Sequence, residues 1–236
     1  LMDLKDDRRG MERGSSTTVK RPLQSGIITK SEMRGIVVFS ASMGLIAAAL
    51  INVNVLFLEA FFLLLGVAYS TNPVRLKKRF LIKQGTVALG FVISTLVACV
   101  AIGIFSWRVA YLAYLYVVFS FSISPIVDLK DIEEDRVAGV RSIPIVWGPD
   151  NTFRLSIVIL VSTILAGVLG YSRMGFNMVL PILGTLILAS IIYVVLPLRK
   201  HWIEEDKLMN AIYRKFLPLH FILQLTVVIA SLPIAL

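Results

Sequence analysis

The sequence predicts an all-α protein, a polytopic transmembrane bundle of about seven helices. Three observations predict it. Of 236 residues, 57% are hydrophobic and only 17% charged, too little polar surface to solvate a soluble domain of this length. Apolar runs of near-spanning length recur along the chain. The basic residues, which give a net charge of +9, gather in alternate loops.

The apolar runs lie near 33–51, 54–70, 84–105, 108–127, 153–171, 177–197 and 214–235. A bilayer core about 30 Å thick takes about 20 helical residues. None of the runs alternates strictly with polar residues, as a barrel strand would, so helices are expected throughout. Lys5, Arg8, Arg9, Arg13, Lys20, Arg21, Lys30 and Arg34 surround the start of the first run. The next loop, Asn52-Val53-Asn54, is short and uncharged. Arg75, Lys77, Lys78, Arg79 and Lys83 follow the second run, and the loop at Ser106-Trp107-Arg108 is again short. Residues 128–150 are rich in charge, 171–177 hold one arginine, and 199–215 carry Arg199, Lys200, Lys207, Arg214 and Lys215. Basic and non-basic loops thus alternate without a miss. The positive-inside rule puts the basic loops and the amino end in the cytoplasm and the carboxyl end outside.

Composition excludes other classes. A nucleic-acid partner is not expected of so apolar a chain, and no obligate protein partner is evident. Cys99 is the single cysteine, so no internal disulfide forms, and no Cys/His spacing suits zinc. Cys99 reads as helix packing. His220 reads as a packing or interfacial residue and His201 as a solvated one. Gly85 and Gly90 are expected to permit close helix approach. Trp107 and Trp202 are expected at the membrane interfaces. Residues 201–215 read as an amphipathic cytoplasmic loop.

Chemistry enters at "SPIVDLKDIEEDRVAG", Ser124 to Gly139, where a membrane-length run ends in Asp128, Asp131 and Asp135. On an α-helix these three carboxylates fall within an arc of about 60°. Such a stripe costs free energy beside a membrane unless it lines a polar cavity and meets a cation. Hard oxygen donors at this density suit Mg²⁺, which leaves coordination positions for phosphate oxygens. Glu133 and Glu134 point elsewhere and are expected to be solvated. The bland alternative is a charged helix end with Lys130 and Arg136 as local partners. Against it stands a repeat: Asp-Leu-Lys-Asp occurs at 3–6 and again at 128–131, on the same predicted face.

A basic counterpart, "YSTNPVRLKKRF", runs from Tyr69 to Phe80 on that face. Arg75 offers a bidentate fork to phosphate oxygens and Lys77 a point charge. Lys78, Arg79 and Lys83 read as membrane anchors. Acids for magnesium, bases for phosphate and an apolar interior together suggest a lipid diphosphate, whose departing group Mg²⁺ and cationic side chains would stabilise.

These segments resemble the UbiA superfamily of intramembrane prenyltransferases. "DLKDIEEDRVAGVRSIPIVWG" is similar to the family's second aspartate motif and the loop after it. "YSTNPVRLKKR" resembles its Tyr-Ser-x-x-Pro-x-Arg-x-Lys segment, and "KRPLQSG", Lys20 to Gly26, the stretch after its first aspartate motif. The resemblance runs along essentially the whole chain. It implies a nine-helix bundle with its site open to the cytoplasm, in the cell membrane. About seven helices are found here, so 1–236 is expected to be one such domain lacking its first two helices. Residue by residue, the resemblance implies that Asp3, Asp6, Asp128, Asp131 and Asp135 hold Mg²⁺, the last three being catalytic. Tyr69, Arg75 and Lys77, with Arg21 and Arg141, would contact the diphosphate. In the first motif Met2 stands where the family has Asn and Gly10 where it has its last Asp, with Asp7 near the same helical stripe. The implied activity is transfer of an isoprenyl chain from an allylic diphosphate to a small acceptor: an aromatic quinone precursor, a chlorin or a glycerol phosphate. Two other readings stay open at this point, a degenerate inactive member and an acidic-mouthed transporter.

Overall fold

The computed structural model describes Leu23 and residues 26–232, and among these every regular element is helical. Seven helical segments are long and apolar enough to cross a membrane, as the sequence predicts. The chain forms two compact units. The first takes the described residues up to Phe105 together with Asp131–Ser142. The second takes Ser106–Lys130 and the described residues from Ile143 onward.

The first unit holds α1 (Lys30–Ile51), α2 (Val53–Ser70), α3 (Ile82–Ile102) and the short α5 (Ile132–Val137). α1 begins at a reciprocal cap. The Thr29 hydroxyl accepts from the Glu32 N–H at 3.2 Å, and the Glu32 carboxylate accepts from the Thr29 N–H at 2.8 Å. Asn52 alone joins α1 to α2. Its extended backbone ends α1, and its Oδ1 caps α2 by accepting from Val55 N at 2.9 Å. Its Nδ2 donates to Val100 O of α3 at 3.4 Å. The close approach expected at Gly90 is present: a Cβ there would meet the Phe62 ring of α2 at 3.4 Å. Gly85 instead faces open space, so packing gives no reason for that glycine.

The second unit holds α4 (Trp107–Val127), α6 (Ile143–Trp147), α7 (Pro149–Gly170), α8 (Val179–His201), α9 (Glu205–Asn210) and α10 (Leu217–Ser231). α4 packs on α7, α7 on α8 and α8 on α10. His220 of α10 stacks on Phe119 of α4, centroids 5.5 Å apart, which fits the packing role expected of it. His201 is half exposed, and its Nδ1 lies 2.7 Å from Glu204 Oε1. The Lys207 ammonium, with the His201 ring, holds the Glu204 carboxyl below the ordinary carboxylate range.

The last span begins earlier than the sequence suggests. The chain is helical from Glu205, passes through a π-helical segment over Ala211–Phe216 and continues into α10. Leu208, Ala211, Ile212 and Phe216 are buried along it. These four make a helical stripe that Lys207, Arg214 and Lys215 interrupt in sequence but not in space, so most of the expected loop is part of the span.

Arg108, unremarkable in its short loop, ties that end of the second unit together. Its guanidinium donates to Met174 O at 3.0 Å, Gly175 O at 2.6 Å and Ser231 O at 3.5 Å. It also lies 5.4 Å from the centre of the Phe176 ring. Arg108→Leu orphans these carbonyls. The expected loss is about 2–4 kcal/mol of stability, read as a lower melting temperature in detergent. An unchanged melting curve would show the tether to be idle.

Candidate active site

The site in the first unit is built from two loops, one basic and one acidic. The basic one joins α2 to α3. α2 ends where Thr71 leaves helical backbone, with its N–H still donating to Val67 O at 2.9 Å. Tyr69 lies in the last turn of α2 and is partly buried. Arg75 then takes left-handed backbone (φ 42°), its N–H donating to Thr71 O at 2.8 Å and its carbonyl accepting from Lys78 N at 3.0 Å. Arginine has no intrinsic liking for that region, so tertiary contacts must hold it there. A single 3₁₀ turn, Leu76–Lys78, carries Lys77.

The acidic loop departs from the single α-helix the sequence suggests. Asp128–Asp131 is a 3₁₀ turn, and α5 starts only at Ile132. In a 3₁₀ turn residues three apart eclipse each other, so the α-helical arc does not describe Asp128 and Asp131. Asp128, buried, belongs to the second unit; Asp131 and Asp135, partly buried, belong to the first. Glu133 is exposed, as expected, and its carboxylate pairs with Arg136 at 3.3 Å. Glu134, expected in solvent, is buried: at about 100° per residue it lies only about 60° from Asp131, on the flank of the carboxylate stripe.

α5 is stopped by Gly139 at φ +71°. Val140 N donates to Asp135 O at 2.8 Å and Gly139 N to Arg136 O at 3.2 Å, the two bonds of a Schellman turn. The next residue, Arg141, donates its N–H to Lys78 O at 3.1 Å and so fastens the acidic loop to the basic one. Gly139→Ala should cost about 1–2 kcal/mol, because an L side chain is strained in that region. The check is the melting temperature, with Gly139→Asn, which tolerates the region better, falling between.

The second fastening is an ion pair. Lys83, in the first turn of α3, places its ammonium 2.9 Å from Asp135 Oδ2, the side chains being only 12% and 19% exposed. Sequence reasoning assigned Lys83 to membrane anchoring. Beside it Gln84 is almost fully buried at 1%, a second polar residue the sequence did not single out. Its one available signal was its amide in the first turn of an otherwise apolar helix.

Of the expected site residues, Tyr69, Arg75, Lys77, Asp131, Asp135 and Arg141 therefore fall in one unit, on or beside the two fastened loops. The Arg141 side chain is exposed, and its tie to the basic loop is made through its backbone N–H. Asp3, Asp6 and Arg21 lie outside the described residues. Among the described residues, no three acidic, histidine or cysteine side chains converge to hold a metal ion. The carboxylates present are nonetheless the donor type that Mg²⁺ takes, and the ammonium on Asp135 marks it as a carboxylate that holds a cation. In kind, the residues fit the ion.

Apolar helices of spanning length, with a fastened pair of charged loops in the first unit, define a class of intramembrane protein, and the comparisons give the family. The model of the UbiA prenyltransferase family matches residues 3–217, so the chain belongs to that family and is an integral membrane protein. It is 28% identical over 187 residues to digeranylgeranylglyceryl phosphate synthase of Sulfurisphaera tokodaii, covering 78% of this chain and 65% of that protein. It is 34% identical over 96 residues to the bacteriochlorophyll synthase 33 kDa chain of Cereibacter sphaeroides, covering 39% of this chain and 32% of that one. The chain thus spans less than two thirds of the curated relatives it matches. Among solved structures, a UbiA homologue from Archaeoglobus fulgidus bound to DMAPP and Mg²⁺ aligns with a TM-score of 0.68 at 19% identity, over 97% of this chain and 78% of that one. That likeness establishes the fold.

Proposed function

We propose that the chain catalyses Mg²⁺-dependent transfer of an isoprenyl group from an allylic diphosphate to a small acceptor within the membrane. One observation carries the reading: the basic loop of Tyr69, Arg75 and Lys77 and the acidic loop of Asp131 and Asp135 are fastened together in one unit. Opposite charges so arranged suit a metal-bridged diphosphate, whose negative charge grows as the allylic carbon–oxygen bond breaks. Asp131 and Asp135 would hold Mg²⁺, with Asp128, Asp3 and Asp6 as further ligands implied by the motifs. The ion would supply charge neutralisation at the leaving diphosphate. Arg75 would take its oxygens as a fork and Lys77 as a point charge, with Tyr69, Arg21 and Arg141 alongside. Family membership supports the reaction class. The names of the relatives favour a glycerol phosphate or chlorin acceptor over a quinone precursor. Residues 1–236 read as one UbiA-type domain in the cell membrane. The alternation of basic loops supports a cytoplasmic site.

The test is direct. Membranes containing the full chain are incubated with labelled geranylgeranyl diphosphate, Mg²⁺ and a pool of acceptors. A new lipid-soluble product, absent with EDTA, is expected, and its mass names the acceptor. No product and no Mg²⁺-dependent release of diphosphate from a folded chain would sink the reading.

A further inference from the structure

We infer that Lys83 is a built-in counter-cation for Asp135, and that a divalent metal must displace it to load the acidic loop. The inference rests on the functional reading above and adds to it: metal binding here is a cation exchange. Lys83 Nζ lies 2.9 Å from Asp135 Oδ2 with both side chains mostly buried. Both backbones are pinned. Lys83 N–H donates to Arg79 O at 3.1 Å, and Asp135 C=O accepts from Val140 at 2.8 Å in the turn at Gly139. Exchange must therefore happen by side-chain movement.

Lysine suits that task. Its flexible four-carbon stem lets the ammonium leave without moving the helix, whereas a guanidinium fork would hold the carboxylate more rigidly. An ammonium and a divalent ion on one carboxylate repel each other strongly in a partly dry site. Lys83 and metal therefore exclude one another. Without metal, the ammonium neutralises Asp135, which shares its short segment with Asp131 and the buried Glu134. When a diphosphate arrives with the metal, the displaced ammonium gains an anion to pair with. Metal and diphosphate then bind more tightly together than apart, and each raises the other's affinity by the same factor.

The experiment measures free Mn²⁺ by its paramagnetic signal over the full chain in detergent, with and without inorganic pyrophosphate. Lys83→Met is expected to bind Mn²⁺ alone at least tenfold more tightly than wild type and to lose most of the mutual enhancement. Lys83→Arg is expected to bind Mn²⁺ no more tightly than wild type. In the wild-type chain, Mn²⁺ alone should raise reductive methylation of Lys83 several-fold, read by mass spectrometry. This second readout decides the matter if Lys83→Met does not fold. Wild-type affinity in Lys83→Met, or labelling of Lys83 indifferent to Mn²⁺, would reduce the pair to a structural tie. If Mn²⁺ binding is lost in Asp131→Asn but unaltered in Lys83→Met, the functional reading stands and the exchange alone falls. If the wild type binds no Mn²⁺ with or without pyrophosphate, both fall.

Discussion

Asp131→Asn is expected to lower prenyl transfer roughly 100-fold or more, the scale on which losing one element of charge stabilisation acts, and to leave the bundle folded. Asp131 sits at the junction of the 3₁₀ turn and α5 and makes no side-chain cap to that helix. It is partly exposed, so the isosteric amide leaves packing almost untouched. The carboxylate's charge is another matter. An amide oxygen is a poorer ligand for a hard divalent cation, and its neutral group leaves the metal's charge less compensated. The measurement is the initial rate in membranes at saturating Mg²⁺, beside the melting temperature of the same preparation. A wild-type rate would remove Asp131 from the site, and a collapsed melting temperature would make it structural.

Arg75→Ala is expected to weaken binding of the diphosphate by roughly ten- to a hundredfold, the equivalent of one or two charge-assisted hydrogen bonds. Acceptor affinity should change little. The backbone complicates this substitution usefully. Arg75 is held in left-handed geometry, where alanine is strained about as much as arginine and glycine is relaxed. Arg75→Gly therefore separates the two roles: it restores the backbone and still lacks the guanidinium. Inhibition by inorganic pyrophosphate reads the affinity in all three proteins. If Arg75→Gly binds pyrophosphate like wild type, the residue serves the loop's shape and not the ligand.

How much of this was legible in the sequence depended on the range of the physics involved. The seven spans were visible because hydropathy is summed over about twenty neighbours, and single errors average out. The start of the last span was missed for the same reason. Lys207, Arg214 and Lys215 dilute any window over that stretch, although Leu208, Ala211, Ile212 and Phe216 form a buried stripe once the helix turns. Arg75, Lys77 and Asp131 could be named as candidates from motif and spacing. Lys83 could not, because it follows four other cations within nine residues and only a contact 52 positions away distinguishes it. Glu134 differs from its expectation because a residue three on from Asp131 lies only about 60° away on a helix, close enough to share the burial of that flank. Arg108 gave no signal at all: its carbonyl partners come from backbone, which sequence does not mark.

The single-residue link at Asn52 has a mechanical side. It ends one helix, caps the next and is bonded to a third, which makes it the fulcrum of a pair of tweezers. α1 has 22 residues, a lever of about 33 Å at 1.5 Å per residue, so a tilt of about 5° there moves its far tip by about 3 Å. α2, on the other arm, carries Tyr69 at its far tip and leads into the basic loop. Any tilt between the two arms would thus be largest at the end that carries the basic loop and least at the uncharged turn.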